Sequence, residues 1–129
     1  MLLKQIMKRD PITADDTEPL GDVYRRMVAY KLRHVPVVRA GKLVGLLSER
    51  DILEYRAKRD ADEEWWRART ADAMHGGLQT AGPDDSLTEA AGRMAMSKIG
   101  ALPIVELGKL VGIVTVTDVL AAEVEEAMR

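Results

Sequence analysis

Two tetrapeptides carry side chains whose types and spacing could do chemistry. Ser48-Glu49-Arg50-Asp51 and Thr115-Val116-Thr117-Asp118 each set a hydroxyl three residues ahead of a carboxylate. At a helix start, such a hydroxyl accepts a hydrogen bond from a backbone N–H, and the carboxylate sits in the positive end of the helix dipole. On that reading the pattern only marks where a helix begins. The same geometry has a second use. Orphan N–H groups at a helix start collect an anion, and the hydroxyl adds a donor. A carboxylate beside them accepts from both hydroxyls of a ribose, as an acidic residue does in dinucleotide folds. Ribose plus phosphate is a nucleotide, so the pattern serves capping or nucleotide binding.

Other chemistry finds no support. The chain has no cysteine, which removes disulfides, thiolate nucleophiles and cysteine zinc sites and fits a reducing compartment. His34 and His75 are too far apart for a helical histidine pair, and there is no Gly-x-Ser-x-Gly elbow. Gly41-x-x-x-Gly45 is followed by no Gly-Lys-Ser/Thr and is no phosphate loop. We therefore expect no catalytic residues, no metal and no cofactor. With 19 basic and 21 acidic side chains among 129 residues, the charge balance argues against a nucleic-acid clamp or a polybasic membrane anchor. No apolar run approaches the roughly 18 residues of a membrane span. The N-terminus is charged too early to read as a secretory signal. These features predict a soluble, cytoplasmic domain.

The elements that must position the two tetrapeptides come from an internal repeat. At an offset of 67 residues, positions 7 to 53 show 16 identities without a gap, including Gly41-Lys42-Leu43-Val44-Gly45 on Gly108-Lys109-Leu110-Val111-Gly112. Two copies are too few for a solenoid, so a pseudo-two-fold pair is expected. Leu20, Val23 and Met27, and again Leu87, Ala90 and Met94, form one apolar helix stripe each. Pro19 stands near the start of the first helix, and Ser86-x-x-Glu89 predicts a capping box at the second. Short apolar runs with Pro36 and Pro103 suit strand starts or edges. Gly41 and Gly108 supply hairpin turns. Each copy therefore reads β-α-β-β-α, an α/β (α+β) architecture. The expected division is 1–59 for the first repeat, 60–72 for a charged helical connector and 73–129 for the second repeat. Segment 56–72 has neither Gly nor Pro, which predicts an extension of the preceding helix. Trp65-Trp66 within it reads as packing or a dimer contact, since no basic, aromatic-interleaved surface accompanies it.

This pattern resembles the CBS-domain pair, the regulatory module named after cystathionine β-synthase and also called a Bateman module. The resemblance rests on Ile6-Met7-x-x-x-Pro11-Ile12-Thr13, on His34-Val35-Pro36-Val37-Val38, and on Gly45-Leu46-Leu47-Ser48-Glu49-Arg50-Asp51, repeated as Gly112-Ile113-Val114-Thr115-Val116-Thr117-Asp118. It implies two repeats packed sheet to sheet, clefts that bind adenosine nucleotides, and modules that pair into a homodimer. A first site would use Thr13, Arg33, His34, Val35, Gly45, Ser48, Arg50 and Asp51. A second would use Thr80, Ala101, Gly112, Thr115, Thr117 and Asp118. Segments near Ile6-Met7 and Ala73-Met74 would contact adenine, each serving the other copy's site. Leu78 stands where Pro11 does in the first copy, which leaves the shape of the second cleft open.

The implied ligand is AMP, ADP or ATP, with S-adenosylmethionine or NAD as further adenosyl candidates. A regulated partner protein and a homodimer are the expected partners, with no nucleic-acid duplex and no membrane. A ligand-free scaffold, whose signatures are only helix caps, is the alternative. Arg33, His34 and Arg50 face Gly100, Ala101 and Thr117 across the repeat, so the first site is expected to bind phosphates and the second to bind them weakly.

Overall fold

In each copy the apolar stripe forms a helix whose buried face closes over a small sheet. The computed structural model describes residues 1–59 and 63–129. The elements are β1 (Lys8–Arg9), β2 (Ala14–Asp15), α1 (Leu20–Ala29), β3 (His34–Arg39), β4 (Lys42–Ser48), α2 (Glu49–Ala57), α3 (Thr70–Ala73), α4 (Leu87–Ser97), β5 (Ala101–Glu106), β6 (Lys109–Thr115) and α5 (Val116–Ala127). Leu20, Val23 and Met27 of α1 are buried, as are Leu87, Ala90 and Met94 of α4. The hairpin turns Ala40-Gly41 and Leu107-Gly108 have positive φ at both residues, the type I′ geometry that glycine at the second position makes easy.

The chain divides into two compact units, Ile12–Leu78 and Met1–Pro11 with Gln79–Arg129. The first holds sheet β2-β3-β4, with β2 parallel and β4 antiparallel to β3. His75 extends it through a bridge to Leu46 on β4. The second holds sheet β1-β6-β5, extended by a bridge from Ala81 to Ile104 on β5. At the offset of 67 the two arrangements correspond, bridge for strand and strand for bridge. The β-α-β-β-α order is present in the first unit. In the second, its opening strand shrinks to the Ala81 bridge. Pro103 is tolerated in β5 because the N–H it lacks would point to the same edge as its carbonyl, which accepts from Ala81 N–H at 3.0 Å on the side paired only through a bridge.

This division differs from the expected boundaries at 59 and 73. Residues 1–11 complete the second repeat, and residues 63–78 complete the first. The reason is a matched set of backbone hydrogen bonds. Leu20 N–H donates to Ala68 O at 2.7 Å, Thr70 N–H to Glu18 O at 2.9 Å and Ala71 N–H to Asp16 O at 2.9 Å. In the other unit Leu87 N–H donates to Met1 O, Leu3 N–H to Asp85 O and Lys4 N–H to Pro83 O, all at 2.9 Å.

The expected helical extension through the connector is not what forms. Helix α2 ends at Ala57 with Lys58 as its C-cap, and residues 60–62 of the expected connector lie outside the described residues. A 3-10 turn at Trp65–Arg67 and the single turn of α3 follow. A continuing helix would spend internally the N–H and C=O groups that residues 68–71 give to the 16–20 stretch. Trp65 packs on the first core, and Trp66 lies so close to Gly21 that an added Cβ there would meet Trp66 Cβ at 3.0 Å. Ser86 caps α4 by accepting from Glu89 N–H at 3.2 Å, but the return bond of the expected capping box is not made.

Candidate functional site

Both tetrapeptides lie at the junction of a hairpin and a helix. In the first unit, β4 runs out at Ser48 and α2 starts at Glu49. Ser48 Oγ accepts from Asp51 N–H at 3.0 Å, and Asp51 Oδ2 accepts from Ser48 N–H at 2.8 Å. Glu49 N–H donates to Arg33 O at 2.9 Å. Among the described residues these bonds leave the Arg50 N–H as the open donor of the first turn. His34 stands opposite Ser48 in the β3–β4 register. Arg33 and Arg50 are exposed. Burial is the main force holding His34 below the ordinary histidine range; Asp51 pulls it up, and Arg33 adds to the lowering. At neutral pH, His34 therefore offers a hydrogen bond and no charge, which leaves the positive charge of this site to the two arginines.

Asp51 has a further partner that sequence reasoning missed. Its Oδ1 lies 2.6 Å from His75 Nδ1, with the carboxylate 7% exposed and the imidazole 68% exposed. His75 is placed by its backbone, since Leu46 N–H donates to His75 O and His75 N–H to Leu46 O, both at 3.0 Å. The preceding Met74 packs on Gly45. A Cβ at Gly45 would collide with the Met74 sulfur and come within 2.9 Å of its Cγ and 3.0 Å of His75 O. Glycine at position 45 thus makes room for the crossing segment.

The second unit repeats this with different side chains. Thr115 Oγ1 accepts from Asp118 N–H at 3.3 Å, and Asp118 Oδ2 accepts from Thr115 N–H at 2.9 Å. The Thr115 hydroxyl also donates to Asp118 Oδ2 at 3.0 Å, so its hydrogen is spent internally. Position 75 becomes Lys8, whose Nζ lies 3.8 Å from Asp118 Oδ1; that carboxylate is 17% exposed. Met7 packs on Gly112, where a Cβ would meet its sulfur at 2.7 Å and Lys8 O at 3.0 Å. The offset of 67 pairs Met7-Lys8 with Met74-His75, which is the signal that could have found both neighbours of the acids.

The remaining predicted residues fall as follows. Thr13 is half-buried and Thr80 exposed. Their carbonyls accept from Arg26 at 3.0 Å and Arg93 at 2.8 Å, equivalent arginines on α1 and α4. The side chains of Val35 and Ala101 are buried, which leaves only their backbone for contact at the surface. Thr117 is exposed on the first turn of α5. Among the described residues no cluster of His, Asp or Glu could hold a metal ion, and no helix is long and apolar enough to cross a membrane.

Two α/β units with a capped helix start on each hairpin define a tandem-repeat class of α/β module. The chain belongs to the CBS-domain family, whose model matches residues 3–58 and 71–125. It is 33% identical over 128 residues to the uncharacterized protein MJ1225 of Methanocaldococcus jannaschii, covering 92% of this chain but only 46% of that relative. Among solved structures, it is similar to AcuB from Vibrio cholerae at 32% identity and TM-score 0.87, covering 99% and 93% of the two chains. It is also similar to the CBS-domain pair of protein MJ0100, solved with 5′-methylthioadenosine and S-adenosyl-L-methionine, at 26% identity and TM-score 0.88, covering 98% of each chain.

Proposed function

We propose that this chain is a cytoplasmic regulatory module that binds an adenosine-containing ligand and reports its presence through dimer geometry or a partner protein. The observation that carries this reading is the helix start at Ser48–Asp51. There a carboxylate, a hydroxyl and the open Arg50 N–H converge beside the exposed Arg33 and Arg50. Asp51 accepts from the ribose, while Ser48, Arg50 and Arg33 take the phosphates. The adenosyl compounds bound by the similar pair of MJ0100 support the choice of adenosine. Thr115, Thr117 and Asp118 form a second site with no arginine at the corresponding positions. It takes a less anionic adenosyl compound, such as S-adenosylmethionine, in preference to ATP.

One observation favours a scaffold instead. Each Ser/Thr-x-x-Asp motif satisfies itself as a capping box. A nucleotide screen by thermal unfolding separates the two readings, because a ligand at 100 times its Kd stabilises by about 2.7 kcal/mol and a scaffold shows no shift. The homodimer belongs to both readings. Val116, Leu120 and Val124 of α5 and the following Met128 are exposed at helical spacing, and symmetric pairing would cover them. Light scattering should give twice 14.3 kDa; a single species of 14.3 kDa would remove the dimer.

A further inference from the structure

The partner of Asp51 in the free protein is a competitor for the group that a ribose needs. The carboxylate is buried, and its oxygens are engaged on both sides. Oδ2 takes Ser48 N–H at 2.8 Å, and His75 Nδ1 stands 2.6 Å from Oδ1. The imidazole is the exposed member of the pair, so it lies on the solvent side of the acid. A vicinal diol arriving from solvent meets the ring before it meets the carboxylate. The ring can yield by rotating about its own side-chain bonds, because the imidazole is 68% exposed while the backbone stays bonded to Leu46. The equivalent acid has no such cover. Lys8 Nζ stands 3.8 Å from Asp118 Oδ1, and the lysine side chain is 63% exposed.

We propose that His75 sets the ribose affinity of the first site by holding the Asp51 carboxylate until a vicinal diol displaces it. The inference rests on the nucleotide reading above and deepens it. Binding exchanges one polar contact for another: Asp51 Oδ1 gives up the imidazole and accepts a ribose O–H. Only a ligand with the diol makes the exchange; a dideoxyribose leaves the His75–Asp51 pair in place.

The two histidines give a site-specific readout in the full chain. His75 reports the exchange, and His34, opposite Ser48, reports occupancy in any His75 variant. Imidazole NMR signals are followed while AMP or 2′,3′-dideoxy-AMP is added to wild type, His75→Ala and His75→Asn. AMP should move the wild-type His75 signals toward those of free Asp51→Asn protein. Removing the competitor should tighten AMP about two- to five-fold in His75→Ala, the worth of an exposed pair. The asparagine amide, which can donate from the same place, should return the affinity toward wild type. Dideoxy-AMP should bind all three alike. Weaker AMP binding in His75→Ala would make the ring a ligand group and overturn the proposal. So would equal AMP affinity in all three proteins, or equal tightening of both nucleotides, and either result leaves the nucleotide reading intact. No response of His34 to AMP, ATP or S-adenosylmethionine in any of the proteins overturns the nucleotide reading and this inference together.

Discussion

The two units share a backbone plan and differ at the same few places. Around Asp51 stand Arg33, His34, Arg50 and His75; around Asp118 stand Gly100, Ala101, Thr117 and Lys8. The first acid is nearly hidden and tightly held, whereas the second is more open and loosely faced by a flexible ammonium. Even the hydroxyls differ, since Thr115 returns its hydrogen to Asp118. Duplicated folding signals therefore coexist with diverged chemistry. What folds the unit (stripe, turn glycine, cap) is kept in both copies, and what would meet a ligand is not.

The sharpest way to break this comparison is to disturb the shared part. A methyl at Gly45 or Gly112 pushes on the crossing methionine and on the next carbonyl, a crowding that typically costs about 1–3 kcal/mol. Gly45→Ala should cost more than Gly112→Ala, because the Met74 contact is the closer one. Thermal unfolding checks this, and two unchanged melting curves would mean that the crossing segments are not packed on β4 and β6. A smaller effect is expected from the acids themselves. Asp51→Ala and Asp118→Ala each lose a cap contact, about 1 kcal/mol. Asp51→Ala should lose more in urea titrations, since the Asp51 carboxylate is the more buried and has the closer partner; equal losses would make the two acids equivalent.

Charge is the next contrast. Arg33→Ala should weaken ATP by up to about 1 kcal/mol and leave adenosine untouched, with the difference shrinking as salt rises. Calorimetry showing equal losses for ATP and adenosine would give Arg33 a packing role. The smallest effect concerns His34. Its value in the folded state is depressed, so as pH falls the unfolded chain takes up the proton first. Stability should be level above about pH 7, decline as pH falls through the ordinary histidine range near 6.5, and keep declining until the folded form titrates. His34→Gln should remove that slope, and Ala101 contributes none in the other unit. An unchanged slope in the variant would assign it to other groups.

Much of each unit was legible in the sequence. The offset of 67, the stripes Leu20-Val23-Met27 and Leu87-Ala90-Met94, the turn glycines and the two hydroxyl caps are local signals, and local hydrogen bonding and burial enforce them. The exchange of flanking segments was suggested only by the family resemblance, which has Ile6-Met7 and Ala73-Met74 serve the other copy's site, and not by any local pattern. Whether Met7-Lys8 pairs with the sheet of its own copy or of the other depends on long-range backbone bonds that leave no local pattern. The connector misled for the same reason. Its composition suits a helix, but Ala68, Thr70 and Ala71 are committed to the 16–20 stretch. His75 was weighed only as a metal ligand, whereas its register against Leu46 brings it to Asp51.

The central claim is that the Asp51 carboxylate binds a ribose. Calorimetric titration of AMP into wild type, Asp51→Ala and Asp118→Ala tests it most directly. The account predicts saturable binding in wild type, a loss of about 1.5–3 kcal/mol in folded Asp51→Ala, as for a hydrogen bond to a charged group, and a much smaller loss in Asp118→Ala. Equal AMP affinity in wild type and folded Asp51→Ala would contradict it and leave Asp51 as the cap of α2 alone.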